Sequence, residues 1–430
     1  MRSRYRWFVV FVFLFFMLLH QADKLLISSL TTPIMEEFGI NEEQMGRVLT
    51  GALIVSAVLY PVWGYLYDRY ARSKLLALAS FLWGSTTWLS AIAPTFGTFL
   101  ASRASTGIDD SSYPGLYSLI SDYFQPNVRG KIYGLLQMTM PLGFMLGMVL
   151  GLQVGGMIGW RAVFYITGTL GVLLAVLIFF GVREPQRGRG EPELADLEQL
   201  GTYQFEWKHA RALLSKRSLR WLFIQGFFGV FPWNVITYWF IRYLQVERDY
   251  SDGAVQTTMS VAVLVLAAGY FIGGAVGDMV FRRTPRGRAI VAGAAVLIGA
   301  ILLPLTLAVP IDNQPLFLGM LSLTAVFIPV ASPNVISTVY DVTLPEVRST
   351  ALAVQYFIES AGAALAPWLA GLIAVRSSLE NAILLICVST WVACSVFFAL
   401  AAYFLPKDVQ VLRDQLRERA ENERAGRVEA

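Results

Sequence analysis

The chain has 430 residues, of which 56% are hydrophobic and 15% charged, against roughly 45–50% and 25% in an ordinary soluble domain. Water is therefore excluded as the main solvent. The two cysteines and two histidines leave no room for a disulfide framework or a Cys/His metal cluster, and no metal or cofactor is implied.

Apolar stretches long enough to cross a hydrocarbon core, about 20 residues each, occur twelve times, at 7–30, 46–67, 75–93, 97–122, 132–154, 160–182, 219–243, 254–277, 288–309, 315–340, 350–374 and 381–405. The expected class is an all-α polytopic membrane protein of twelve transmembrane helices in two pseudo-symmetric six-helix bundles. Its units are a first bundle over 1–183, a linker over 184–218, a second bundle over 219–405 and a charged tail over 406–430. Arg2, Arg4 and Arg6 precede the first stretch, but no small-residue cleavage site follows, so the stretch is read as a retained helix and not a signal peptide.

Span one carries His20, Asp23 and Lys24, and span four carries Arg103, Asp109 and Asp110. An ionisable side chain at mid-membrane costs of order 2.5–3.5 kcal/mol on insertion scales, so each needs a partner or a task. At about 100° per residue, His20 shares a face with Asp23 and Lys24. Arg103, Gly107, Asp110, Tyr113, Pro114 and Tyr117 form a second stripe, with Asp109 one residue off it. Lys24 and Arg103 against Asp23, Asp109 and Asp110 leave one carboxylate in excess. A crowded carboxyl group beside cations gains and loses a proton as its surroundings change, which is the physical requirement for proton coupling. Asp109 is the better candidate for a packing role.

After span two comes GYLYDRYARSK, residues 64–74, and after span four comes Asp122-x3-Pro126-x-Val128-Arg129. Both patterns return in the second half, as GAVGDMVFRRT at 274–284 and as Asp341-x3-Pro345-x-Val347-Arg348. Gly64 allows close helix approach, Asp68 can accept hydrogen bonds from a neighbouring helix N-terminus, and Arg72 supplies a counter-charge. The duplicated set Gly64, Asp68, Arg72, Asp122, Arg129, Asp278, Arg282, Asp341 and Arg348 is assigned to a cytoplasmic gate. Paired halves about a central site are the architecture of secondary transporters.

Between the halves, Gln186 to Leu200 reads as a flexible linker, and FEWKHARALLSKR as a helix lying in the headgroup layer. Span seven is rich in aromatics: Phe227, Phe228, Phe231, Trp233, Tyr238 and Trp239. These are expected to wall an apolar cavity, with Asn234 from the same span and Asn334 and Ser337 from span ten as polar contacts. Glu359 stands in span eleven, with packing and function equally open to it. Cys387 and Cys394, about 10 Å apart along one helix at 1.5 Å per residue, lie beyond disulfide reach. The tail from Lys407 repeats Val409, Leu412 and Leu416 at helical spacing.

Of the 34 Lys and Arg, 27 fall in the N-terminus, the even-to-odd connections and the tail, and five on the opposite side. Positive charge is retained on the cytoplasmic face, so both termini are expected there. This asymmetry accounts for the net charge of +4 without a nucleic-acid partner. No HExxH, GxSxG or phosphate-binding glycine loop occurs, so neither an enzyme nor an ATP-driven pump is indicated. A non-transporting sensor would want an appended signalling domain, and none is evident.

GYLYDRYARSK resembles the loop signature of the major facilitator superfamily, with Ala71 in place of its second glycine. ADKLLISSL in span one and R103ASTGIDDSSY113 in span four resemble the Spinster family of lipid transporters, with Lys24 replacing arginine, Asp109 a glycine and Asp110 a glutamate. VREPQRG and RSTALAVQ also resemble Spinster strings. The resemblance implies a central cavity lined by spans one, four, seven and ten. It makes Asp23, Lys24, Arg103 and Asp110 the proton-coupling and head-group set, with His20, Tyr113, Tyr117, Trp233, Asn234, Tyr238, Asn334, Ser337 and Glu359 as cavity-lining candidates. It further implies transport of an amphipathic, lysolipid-like anion with protons, by a monomer in a bacterial cytoplasmic membrane. Tyr113-Pro114-Gly115 resembles a string in proton-coupled symporters of sugar acids, the alternative substrate class.

Overall fold

The computed structural model describes residues 3–194, 197 and 205–428, and all of its regular structure is helical. In chain order the helices are α1 (Ser3–Phe38), α2 (Glu42–Arg69), α3 (Arg72–Ile92), α4 (Phe96–Ser105), α5 (Gly107–Asp110), α6 (Tyr113–Tyr123), α7 (Pro126–Gln137), α8 (Thr139–Val149), α9 (Gly155–Ile158) and α10 (Trp160–Gly181). After the linker come α11 (Trp207–Leu213), α12 (Arg217–Val246), α13 (Asp252–Phe281), α14 (Gly287–Leu307), α15 (Gln314–Phe327), α16 (Ala331–Asp341), α17 (Arg348–Arg376) and α18 (Leu379–Val428). With α4–α6, α7–α9 and α15–α16 each taken as one interrupted rod, the described residues form twelve rods beside the short linker helix α11. Nine of these stretches are long and apolar enough to cross a membrane. The outward faces are apolar, with Phe11 66%, Phe180 80% and Val375 90% exposed, which water would not tolerate at this density. This is an integral membrane protein.

The same pairings recur in both halves. In the first, α1 packs on α8, α2 on α4 and α3 on α10; in the second, α12 packs on α17, α13 on α15 and α14 on α18. The halves meet along two seams, α2 against α17 and α7 against α13. The duplicated glycines lie in these seams. A Cβ on Gly64 would stand 2.6 Å from the Ala353 Cβ, and one on Gly274 would stand 2.0 Å from the Gly130 carbonyl oxygen. Only a residue without a side chain permits that approach.

Span four is not the single helix its sequence suggests. Ser105 and Thr106 donate their hydroxyls to the Ser102 and Arg103 carbonyls at 2.7 Å, and Ser111 donates to Ile108 at 3.0 Å. Hydroxyl side chains that compete for backbone acceptors loosen a helix. The Trp63 indole then donates to the Ile108 carbonyl at 2.6 Å, and the rod divides on either side of Gly107–Asp110.

One other expectation is corrected. Residues 186–194 of the linker are packed, with Gly188, Gly190, Glu191 and Leu194 buried, because Glu191 is drawn into a cluster of guanidinium groups described below; 195–196 and 198–204 lie outside the described residues. The tail is helical with a buried apolar face at Val409, Leu412, Leu416 and Ala420, in line with its spacing, and it continues α18 without a break. The headgroup-layer segment does form a short helix, α11, whose Trp207 stacks on Tyr65 with centroids 5.7 Å apart. Both cysteines are free and buried.

The α2–α17 seam yields a test. In a protein with Cys387 and Cys394 replaced by serine and a cysteine at the fully buried Ser349, Gly64→Val should raise the alkylation rate of that cysteine at least tenfold. Unchanged protection would show that the seam absorbs a side chain.

Candidate functional site

Both termini and the linker gather at one end of the rods, and there the duplicated motifs interlock. The Asp68 carboxylate accepts from the backbone N–H groups of Ser349 and Thr350 at 3.0 and 2.6 Å, the first turn of α17. Asp278 accepts from Gly130 and Lys131 at 3.0 and 2.7 Å, in the first half of α7. Each carboxylate thus ties the end of its own rod to the start of one in the other half, where the helix dipole favours negative charge.

The counter-charges differ from the sequence expectation. Arg72 leaves Asp68 and pairs with Asp122 at 2.6 Å and Glu184 at 2.7 Å; the nearest cation to Asp68 is Arg187 at 4.0 Å. In the second half it is not Arg282 but Arg288 that pairs with Asp278, at 2.6 Å, and with Asp341. Only Tyr70 and Ala71 separate α2 from α3, whereas residues 282–286 separate α13 from α14. The longer turn carries Arg282 out to the surface, where it reaches the Asn127 carbonyl at 3.4 Å, and puts Arg288 at the start of the next rod.

Glu191, absent from the sequence candidates, stands at the centre of this end. Its fully buried carboxylate meets Arg129 of the first half at 2.8 Å, Arg348 of the second, and Arg413 of the tail at 2.8 Å. Arg348 also lies 3.7 Å from Asp122. Burial pushes the Glu191 carboxyl upward, but the Arg129, Arg348 and Arg413 guanidinium groups outweigh it and hold the group well below the usual carboxylate range. One of several glutamates in a Gly/Pro/Arg-rich linker, Glu191 offers no periodic signal by which to find it.

Halfway along the rods lies a cavity of about 330 Å³. Among the described residues, the bonds joining the two halves lie at this cavity or on its terminus side. Gln137 donates to Ser332 at 2.7 Å and Tyr340 to the Pro114 carbonyl at 3.2 Å, in addition to the contacts above. The protein is therefore latched shut at the terminus end.

On the cavity wall, Lys24 donates to Asp110 at 2.7 Å, with the lysine side chain 39% exposed. Asp23 and Arg103 form a second pair at 3.3 Å, but both are buried behind the wall. Asp23 also accepts from Thr167 at 2.7 Å and Thr87 at 3.1 Å. His20 contacts Asp109 through Nε2 and the Tyr113 hydroxyl through Nδ1, both at 2.7 Å. Tyr113 lines the cavity, so a buried Asp109–His20–Tyr113 chain ends at its wall. The four charged groups of the coupling set are thus brought together as two pairs, one facing the cavity and one not.

Of the lining candidates, Tyr113, Tyr117, Trp233 and Glu359 border the cavity. The others do not. His20 is buried behind Tyr113. Asn234 bonds the Val230 carbonyl of its own helix at 2.8 Å. Asn334 bonds the Gly273 carbonyl across to α13 at 2.9 Å. Ser337 bonds Pro333, and Tyr238 is exposed. The aromatic wall expected from span seven is corrected as well: Phe227, Phe228 and Phe231 pack on one another, and Trp239 donates to the Pro367 carbonyl at 3.1 Å. Tyr60, Tyr270 and Tyr356 supply rings instead, with Gln21, Gln137, Gln225 and Gln355 as amides. Spans two, five, eight and eleven therefore contribute beside the expected four. Glu359 accepts from Gln355 at 2.7 Å.

Residues 9–367 match the family described as Major Facilitator Superfamily. The chain belongs to that superfamily. Within it, the chain is 30% identical over 388 residues to the protein spinster of Drosophila melanogaster, an alignment covering 86% of this chain and 62% of that protein. It is 25% identical over 303 residues to a probable galactarate/D-glucarate transporter of Bacillus subtilis (strain 168), covering 66% and 67%. A bacterial homolog of the human lysosomal transporter Spinster, solved in an inward-facing and unoccupied conformation, shares the fold with a TM-score of 0.57 at 19% identity, over 95% of this chain and 98% of that one. Against this major facilitator background, the Asp68 and Asp278 contacts are the physical content of the repeated loop strings.

Replacing Glu191 by glutamine leaves three buried guanidinium groups facing a neutral amide, and loss of one partner from a buried charge cluster costs about 3–5 kcal/mol. The E191Q protein should melt well below the wild type at neutral pH. Because the native Glu191 carboxyl is depressed, its contribution is complete above the unfolded value of about 4.5 and fades as pH falls toward the native one. The melting difference should therefore stay constant from about pH 6 to 8 and shrink only in strong acid; a difference that grows on acidification would contradict the assignment.

Proposed function

We propose that this chain is a secondary active transporter that moves an amphipathic organic anion by alternating access, coupled to protons. All twelve rods span the membrane in this reading, with the termini on the cytoplasmic side where Lys and Arg concentrate, and a bacterial cytoplasmic membrane is the proposed location. The two six-rod halves are the bodies that rock against each other, and the latched terminus end corresponds to the outward-facing member of the cycle.

The observation that carries the reading is the Lys24–Asp110 pair on the cavity wall. With Asp110 ionised, the lysine is satisfied by a contact of 2.7 Å and offers no free charge. When Asp110 takes up a proton, Lys24 is released to hold a substrate carboxylate or phosphate. Loss of the proton returns the lysine to Asp110 and expels the anion. Proton and substrate anion are thereby bound together and released together at one Lys24–Asp110 pair. Asp23 and Arg103, buried with two threonines, hold span one against span four and keep Lys24 aimed at the cavity.

The lysolipid-like character of the substrate is supported by the similarity to spinster proteins and by apolar lining from Met17, Met140, Val230 and Leu352 beside the charged pair. A second reading, a compact sugar acid, is favoured by the tyrosine and glutamine rim, by the modest volume of about 330 Å³, and by the likeness to the galactarate/D-glucarate transporter.

Proteoliposomes with an imposed pH gradient separate these. Wild type should accumulate or expel labelled lysolipid with a rate that follows the gradient, and Asp110→Asn should lower the gradient-driven rate at least tenfold while counterflow persists. Wild-type rates and pH dependence in Asp110→Asn would remove the coupling role. Competition by glucarate and none by lysolipid would select the second reading.

A further inference from the structure

A second cavity, of about 580 Å³, opens at the terminus end and has no part in the path between the halves. It is bordered by the first turns of α1, the start of α7 and the linker, and three cations reach it from these separate segments: Arg6, Lys131 and Arg189. The arginines nearby are neutralised, with Arg72, Arg129, Arg288, Arg348 and Arg413 each on a carboxylate. These three are different.

Arg6 lies over the Phe124 ring, 5.4 Å from its centroid, and its Nε is buried without a hydrogen-bond partner. Lys131 lies 5.5 Å from the Phe271 centroid, and Arg189 donates to the Leu197 carbonyl. None of the three forms an ion pair with a described carboxylate. One acid borders the cavity, Asp122, but its carboxylate is already matched by Arg72 at 2.6 Å and by the Gly188 N–H at 2.9 Å. A concave site with three cations that pair with no described carboxylate has a positive potential and concentrates anions. Two arginines add forked donors that suit phosphate oxygens.

The depth of the site is set by α1. Trp7, Phe8 and Phe11 are exposed on its outer face, so the lipid-facing surface begins one residue beyond Arg6. Trp7 also borders the cavity and meets Phe124 edge-on at 5.7 Å. Tryptophan at such a boundary marks the headgroup layer.

We propose that this cavity is a phosphate-binding site, separate from the substrate cavity, that takes the phosphate of an anionic lipid headgroup or of a soluble phosphate compound. Arg6 and Arg189 hold its oxygens, Lys131 adds charge, and Phe124 and Trp7 form the floor and the lipid-side wall. An occupant connects the first-half rods α1 and α7 to the linker next to Glu191, and so reinforces the latched arrangement.

The test uses the purified full chain and its melting temperature. The additives are dihexanoyl phosphatidylglycerol below its micellar concentration, dihexanoyl phosphatidylcholine, sodium phosphate, and sodium chloride at matched ionic strength. Phosphatidylglycerol should raise the melting temperature by several degrees more than phosphatidylcholine or chloride, with an apparent affinity at least tenfold weaker in the Arg6→Gln/Lys131→Gln/Arg189→Gln protein. The exposed Lys131→Gln alone, which leaves the latch intact, should weaken it several-fold. A matching shift with sodium phosphate identifies a soluble phosphate as sufficient, and its absence identifies the lipid headgroup. Equal shifts in wild type and both variants, or no shift beyond chloride with either phosphate source, would overturn the proposal.

Discussion

The structure depends on carboxylates that cross from one half to a helix start in the other. Asp68 at α17 and Asp278 at α7 are the same contact made twice, and each lies where a glycine one turn earlier lets the two backbones close. A helix N-terminus offers unsatisfied N–H groups and a favourable dipole, so Asp68 is held with its nearest cation, Arg187, 4.0 Å away, whereas Asp278 also takes Arg288 at 2.6 Å. Arg72 braces the loops within its own half, Arg288 joins Asp278 and Asp341 to the Pro126 carbonyl of the other half, and Arg129 and Arg348 converge from opposite halves on Glu191.

Glu191 makes the linker part of the latch. A buried carboxylate among three guanidinium groups recovers its desolvation cost only while all of them are in place, and here those groups belong to the first half, the second half and the tail. Separation of the halves must break this cluster along with both seams. The tail adds further ties through Arg413 to Glu193 at 2.9 Å and Arg419 to Glu346 at 2.6 Å. The closed end is thus held by charge-assisted bonds that exchange with water on opening. The middle is held by small contacts such as Gln137 to Ser332.

The cavity shows the same economy of charge. Two cations and three carboxylates in spans one and four resolve into Lys24–Asp110, Arg103–Asp23 and Asp109 on His20. Only the first pair has a member open to the cavity, so only that pair can trade its partner for a substrate without exposing an unpaired charge. Glu359 brings a carboxylate from the second half to the same space, held by Gln355, and the tyrosine hydroxyls give the wall a polar surface that span seven's aromatics would not have supplied.

The chain's order of residues was enough to establish a membrane protein of helical rods, its division into halves and the loop motifs at one end, because hydrophobic runs and a repeated string are one-dimensional signals. It also named the charged groups of spans one and four, since an ionisable residue in an apolar run is conspicuous. Tertiary structure alone decided the partners. Arg288 supplants Arg282 because a longer turn shifts the register, Tyr60, Tyr270 and Tyr356 reach the cavity because spans two, eight and eleven border it, and Glu191 becomes central because three distant arginines meet at one point. Ion pairing and cavity lining depend on distances between segments that sequence spacing does not encode.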